Sequence, residues 1–296
     1  MSKVYIVFET YYNCCNGTLL DCLDLFLWCK KNNLNVGLCL INNKFDDNCS
    51  YGMLYIHNLY EDRYSSFLSI EQWKECINDI IIINKIEIPK YISNAVLFDF
   101  RTLVSCYGFL KYIKNIAFVS NIVKGQKEEL YIHEEKITTF YEEQYNLVGT
   151  VSYRQKYLLS HLKESIKFNN RVPLIIHRNL SDIEFIKLLN KNIWNGSFIP
   201  LNNAIDKIDS NYNKNFLGNI SEIYYFQSPK IYDRKPRILL EAKILNIPIH
   251  FYTLKDIKVD GAIIRYNNIE NDIIDREYSF SDKLIVWICD KLGERV

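Results

Sequence analysis

Residues 4–41 narrow the possible fold more than any other stretch of the chain. An apolar run at 4–8 is followed by Leu19, Leu20, Cys22, Leu23, Phe26 and Leu27 at helical spacing, and a second apolar run fills 36–41. Strands this uniformly apolar are of the kind buried on both faces, and a helix between two of them is the crossover that a parallel pair requires. The opening therefore reads as β-α-β. Short strands are predicted again at 53–57, 95–98 and 116–119, with helical patterns at 70–82 and 102–113. Alternation of this kind predicts a parallel sheet covered by helices.

The second half repeats the pattern on a smaller scale. Residues 131–150 are polar and aromatic without a clean period, and 153–166 read as a helix leading out of the first unit. A strand follows at 172–177. Ser181 is then a candidate N-cap with Glu184 three residues on, and Ile183, Ile186, Leu188 and Leu189 continue a helix. After a loop-rich stretch at 190–219 come a strand at 223–226 and a helix carrying Ile238, Leu239, Ala242 and Leu245. The last helix spans 282–292 and is stopped by Gly293. Composition shifts near the middle as well: eight of nine cysteines lie at or before Cys106, and five of six prolines at or after Pro173. The expectation is an α/β protein of two domains, 1–165 and 166–278, with a C-terminal helix in 279–296 that returns to the first.

A chain of 296 residues with 48% hydrophobic content has enough apolar surface for two ordinary cores. Its formal net charge of +1 removes the whole-chain positive field of a strongly basic nucleic-acid binder and leaves only a local groove possible. The cysteines lack CxxC spacing and sit among apolar residues, as at Cys22, Cys29 and Cys106, so they read as reduced core thiols. His57, His133, His161, His177 and His250 are scattered without cysteine pairs, which argues against zinc. No stretch has the length of a membrane span and the start carries no apolar leader, so a cytoplasmic setting is expected. No GxGxxG follows a predicted strand, which disfavours a dinucleotide-dependent oxidoreductase.

Chemistry concentrates at 222–252. Residues 227–235 break the strand, Pro236 suits the first turn of the next helix, and Arg234, Lys235 and Arg237 crowd its start. Cations oppose the dipole at a helix N-terminus, so that crowding anticipates an anion such as a diphosphate. Each residue also has a plainer reading. Arg237 and Glu241 are an i, i+4 pair on one helix face, Asp233 is suited to turning the loop, and Arg178 to a strand-end surface charge.

This segment resembles the carboxyl-terminal signature of GT-B glycosyltransferases. There an acidic residue, seven intervening residues and a glutamate open a helix that is followed by a short proline-containing strand start. Asp233, Glu241 and Ile247-Pro248-Ile249 stand at that spacing. The resemblance implies two Rossmann-like domains facing across a cleft, a nucleotide-diphosphate sugar such as UDP-glucose as co-substrate, and no metal. It implies ribose binding by Glu241, donor-sugar contact by Asp233, and diphosphate contact by Arg178 and Arg237 with Arg234 and Lys235 nearby. The first acid is aspartate rather than the commoner glutamate, and the glycine-rich loop of many relatives is reduced to Cys15-Asn16-Gly17.

An inverting transfer needs a base on the acceptor side. Asp99 and Glu9 each follow an apolar strand run, the place where open α/β sheets carry reactive groups, and His57 is a third candidate. Abundant Ile, Asn, Lys and Tyr suit an AT-rich genome, and a compact GT-B chain is similar to phage enzymes that glycosylate hydroxymethylated pyrimidines. DNA is then a possible acceptor, with Lys111, Lys114, Lys124 and Lys127 beside Tyr107 and Tyr112 as a backbone-tracking groove. A surface glycan, a protein acceptor, or a non-catalytic nucleotide-sugar-binding protein are the alternatives.

Overall fold

The computed structural model describes residues 2–10, 17–42, 49–84, 91–98, 102, 113–119, 163, 166–168, 171–177, 199–201, 217–227, 237–253 and 283–294. Within them lie two parallel sheets. The first is built from β1 (Val4–Thr10), β2 (Val36–Asn42), β3 (Ile80–Asn84), β4 (Asn94–Phe98) and β5 (Asn115–Val119), in the order β3-β2-β1-β4-β5. The second has the order β7-β6-β8-β9, from β6 (Val172–His177), β7 (Ile199–Leu201), β8 (Ile220–Gln227) and β9 (Ile249–Thr253). All seven neighbouring pairs are parallel. The α/β class with parallel sheets is as the sequence predicts.

Among the described residues five helices accompany the sheets: α1 (Gly17–Lys31), α2 (Cys49–Arg63), α3 (Ile70–Ile77), α4 (Arg237–Ile244) and α5 (Lys283–Leu292). Two sequence expectations are corrected. Residues 53–57 are not a strand but the middle of α2, and His57 is therefore a helical residue. Buried Ile56, Leu59, Tyr60 and Arg63 recur every three or four positions, a stripe that a strand's alternation cannot produce. The helix expected over 70–82 ends at Ile77, and 80–84 is strand β3. Four consecutive isoleucines favour the extended backbone once Asn78 and Asp79 have turned the chain.

One buried cluster joins β1, β2 and β4 to α1, α2 and α3, with Val4, Ile6, Phe8, Leu23, Phe26, Leu38, Leu40, Val96 and Trp73 among its members. Ile285, Ile288 and Cys289 of α5 belong to the same cluster, so the last helix packs beside β1 and β5. A second cluster gathers Leu174, Ile176, Ile223 and Tyr225 against Ile238, Leu239, Ala242 and Leu245. Gly218 lies so close to the Lys167 carbonyl that a Cβ would overlap it. Cys22, Cys29, Cys39, Cys76 and Cys289 are buried thiols, as expected of core cysteines, while Cys106 lies outside the described residues. Burial pushes the Cys39 thiol up to about 12 and the Cys76 thiol to about 11. Among the described residues no helix is long and apolar enough to cross a membrane.

Candidate functional site

Each sheet has a point at which the chain reverses its direction of growth, and open α/β sheets bind ligands outside the strand ends at such points. In the first sheet the chain runs outward through β1, β2 and β3, then crosses to β4 on the other side of β1. The reversal lies between β1 and β4, whose register brings Phe8 opposite Phe98. Glu9 is the next residue of β1, 5% exposed, and its backbone N–H donates to the Thr102 hydroxyl at 2.7 Å. Asp99 directly follows Phe98 in the sequence and lies outside the described residues. Of the two acids chosen from sequence, Glu9 thus lies on one of the two strands at this reversal, and Asp99 follows the other in the chain.

In the second sheet the reversal lies between β6 and β8, paired through His177 and Phe226 at their carboxyl ends. Arg178 follows β6 in the chain, and Asp233, Arg234 and Lys235 lie between β8 and α4. All four are outside the described residues. Arg237 opens α4, and its side chain is not described.

Glu241 is the best-defined member of the set. It sits one turn into α4, on the face that carries Ile238, Ala242 and Leu245 into the core, and it is 1% exposed. Its carboxylate Oε1 accepts a hydrogen bond from Nη2 of Arg63 at the end of α2, with both side chains 0% exposed. The partner lies 178 residues away in sequence, and it joins a helix of the first sheet's cluster to one of the second's. An isolated charge at either position would be expensive to bury, so each requires a partner of opposite sign.

Arg63 is held from its own side as well. Tyr64, the next residue, donates its hydroxyl to Asp24 Oδ1 of α1 at 2.7 Å, and Tyr60 donates to the Leu68 carbonyl at 2.8 Å. Tyr60 stacks on Trp73 with ring centroids 4.4 Å apart. The end of α2 is thus fixed to α1 and α3 by bonds that do not involve Arg63. Sequence reasoning passed over Arg63, Thr102 and Asp24. The available signal for Arg63 was a cation occupying an apolar position in the 56, 59, 60, 63 stripe, visible once 49–63 is read as a helix.

His57, named from sequence as a third base candidate, lies on α2 facing α3. Its Nδ1 accepts from Trp73 Nε1–H at 2.8 Å, and its Nε2 lies 3.3 Å from Glu61 Oε1. That hydrogen bond uses the Nδ1 lone pair and links α2 to α3. Lys114, the described member of the lysine groove, is exposed and immediately precedes β5. It stands at the amino-terminal edge of the sheet, opposite the Glu9 edge. Lys111, Lys124 and Lys127, with Tyr107 and Tyr112, lie outside the described residues.

A third polar group lies on β8 and β9. His250 Nε2 is 2.8 Å from Glu222 Oε2, Tyr224 donates to the same oxygen at 3.1 Å, and the Tyr224 and His250 rings stack. Glu222 and His250 sit in the amino-terminal half of their strands and Tyr224 near the middle of β8. Among the described residues no group of three or more His, Cys, Asp or Glu side chains is arranged to hold a metal ion.

No protein-family profile matches the sequence, and no curated protein matches it at significance.

Proposed function

We propose that the protein is a glycosyltransferase that moves a sugar from a nucleoside-diphosphate donor to an acceptor hydroxyl. In this reading the two sheets are the cores of two halves that face across a cleft in the GT-B manner. The observation that carries it is the topology of the site residues. Glu9 lies on β1 and Asp99 follows β4 in the chain, the two strands at one sheet reversal; Arg178 follows β6 in the chain and residues 233–237 follow β8, the two strands at the other.

The roles follow from what each group can do. Arg178 and Arg237, with Arg234 and Lys235, grip the diphosphate and stabilise the charge that grows on it as it leaves. Glu241 accepts hydrogen bonds from the ribose hydroxyls, and Asp233 contacts the donor sugar. The acceptor oxygen forms a bond to the anomeric carbon as the bond to the diphosphate oxygen breaks. In an inverting reaction, Asp99 or Glu9 takes the acceptor's proton. Hydroxymethylated pyrimidine in DNA is the acceptor tested first, and a surface glycan or protein comes next.

The test is a panel of nucleotide-sugars. One member is expected to raise the melting temperature and to be slowly hydrolysed, with both effects lost in Arg237→Ala. Absence of protection by every member removes the enzyme reading at its first step. For the acceptor, labelled sugar is expected to reach hydroxymethylated duplex and not unmodified duplex; labelling of neither rejects DNA. Binding without hydrolysis or transfer to any acceptor favours a nucleotide-sugar-binding protein on the same scaffold.

A further inference from the structure

We propose that His57 and Trp73 form an acid-released catch between α2 and α3, closed while the imidazole is neutral and opened when it takes up a proton. The inference stands apart from the donor-site reading above, which does not use His57.

The chemistry of the two rings fixes the closed arrangement. An indole N–H donates and has no lone pair to accept with, so the 2.8 Å contact from Trp73 Nε1 requires a bare Nδ1 on His57. The neutral ring then carries its hydrogen on Nε2, which lies 3.3 Å from Glu61 Oε1 one turn along α2. A further proton can enter only at Nδ1. Once there it faces another N–H, the acceptor is gone, and the bond between the helices is lost. Imidazole is the side chain that changes charge between about pH 5 and 8. With 36% of its side chain exposed, His57 is open to protons from solvent.

Two contacts pull on that proton in opposite directions. The bond from Trp73 favours the neutral ring, whereas Glu61 favours the charged one, with a pull screened by its 63% exposure. Among the described residues the neighbouring titratable groups are Tyr60 on α2 and Glu71 and Cys76 on α3. Burial, with Glu71, Cys76 and Glu61 nearby, holds the Tyr60 hydroxyl above its ordinary value, and burial does the same for the Cys76 thiol. Hydrogen bonds from its own backbone N–H and from Ser69 hold Glu71 below its own. None of these three changes charge where imidazole does, and Lys74 and Glu75 of α3 are exposed and of opposite sign. The Tyr60–Trp73 stack at 4.4 Å needs no proton, so opening the catch loosens α3 without freeing it.

Nuclear magnetic resonance of the wild-type chain tests this, with the His57 ring and the Trp73 indole N–H followed together from pH 8 to pH 5. The two signals are expected to move with one midpoint, and the hydrogen-exchange protection of 70–77 to fall by about fivefold across it, the worth of one ordinary hydrogen bond. Trp73→Phe removes the contact that opposes the proton and is expected to move the His57 midpoint to higher pH. Glu61→Gln, at an exposed position, is expected to move it to lower pH. An indole signal that does not follow the His57 ring, a ring that stays neutral down to pH 5, or a midpoint unmoved in both variants overturns the catch.

Discussion

The ion pair between Arg63 and Glu241 shows why a residue's sequence neighbours are a poor guide to its partner. Glu241 reads from sequence as the i, i+4 companion of Arg237 on a helix face, whereas the fold turns it inward to a cation 178 residues away. Its place in the signature is readable; its burial is not, because burial is decided by what packs over α4. The energetic consequence is testable. Glu241→Leu or Arg63→Met alone removes one side of a buried ion pair and is expected to cost about 3–5 kcal/mol in denaturant unfolding, while the double substitution is expected to cost less than the sum of the two. Additive losses would contradict a paired role. Asp79 offers a second residue-scale prediction. Burial raises its carboxyl, but hydrogen bonds and charge from Lys3 and Lys30 outweigh this and hold it below its ordinary value. A carboxylate depressed in the folded state adds stability that is complete above its ordinary pKa and fades as pH falls through the folded one. The stability gap between wild type and Asp79→Asn is therefore expected to narrow as pH drops from 6 toward 3; a constant gap would exclude the two-lysine clamp as its source.

At the scale of elements, three helices end by the same device. Asn33 after α1, Asn246 after α4 and Gly293 after α5 have φ of 59°, 55° and 76°, in the left-handed region. In each case the residue's N–H bonds three residues back and the next N–H bonds five back, as from Leu34 to Cys29, Ile247 to Ala242 and Glu294 to Cys289. Only Gly293 was read as a stop from sequence, because asparagine serves turns, caps and loops alike. Asn246→Val is expected to lower stability by about 1–2 kcal/mol through left-handed strain, and Asn246→Gly to be nearly neutral, as measured by thermal unfolding. Equal losses would point to the side chain rather than the backbone. The strands of the opening β-α-β were legible because long apolar runs have few other uses. The 53–57 and 80–84 segments were not, since short apolar runs fit either period and only the buried stripe of α2 and the isoleucine run of β3 separate them. The capping box of Ser69 and Gln72 starts α3 and is written in the sequence as Ser-x-x-Gln.

The whole molecule places two parallel sheets in one chain and returns its last helix to the first of them. Strand order was beyond reach of the sequence, because sequential strands give the alternation and not the crossings that create the two reversal points. Those crossings are what join Glu9 to the strand preceding Asp99, and Arg178 to the strand preceding the 233–237 cluster. The proposed donor half reads in the sequence as charge at a helix start; the link through Arg63 does not, since it depends on how α2 and α4 meet. The central claim is that the β6/β8 edge takes a nucleoside-diphosphate sugar. Calorimetric titration of a nucleotide-sugar panel against wild type and Arg237→Ala tests it most directly. The account predicts one donor with a dissociation constant of about 1 μM to 1 mM, the usual substrate range, weakened at least about tenfold in the variant. No heat from any donor, or binding indifferent to Arg237, would contradict it.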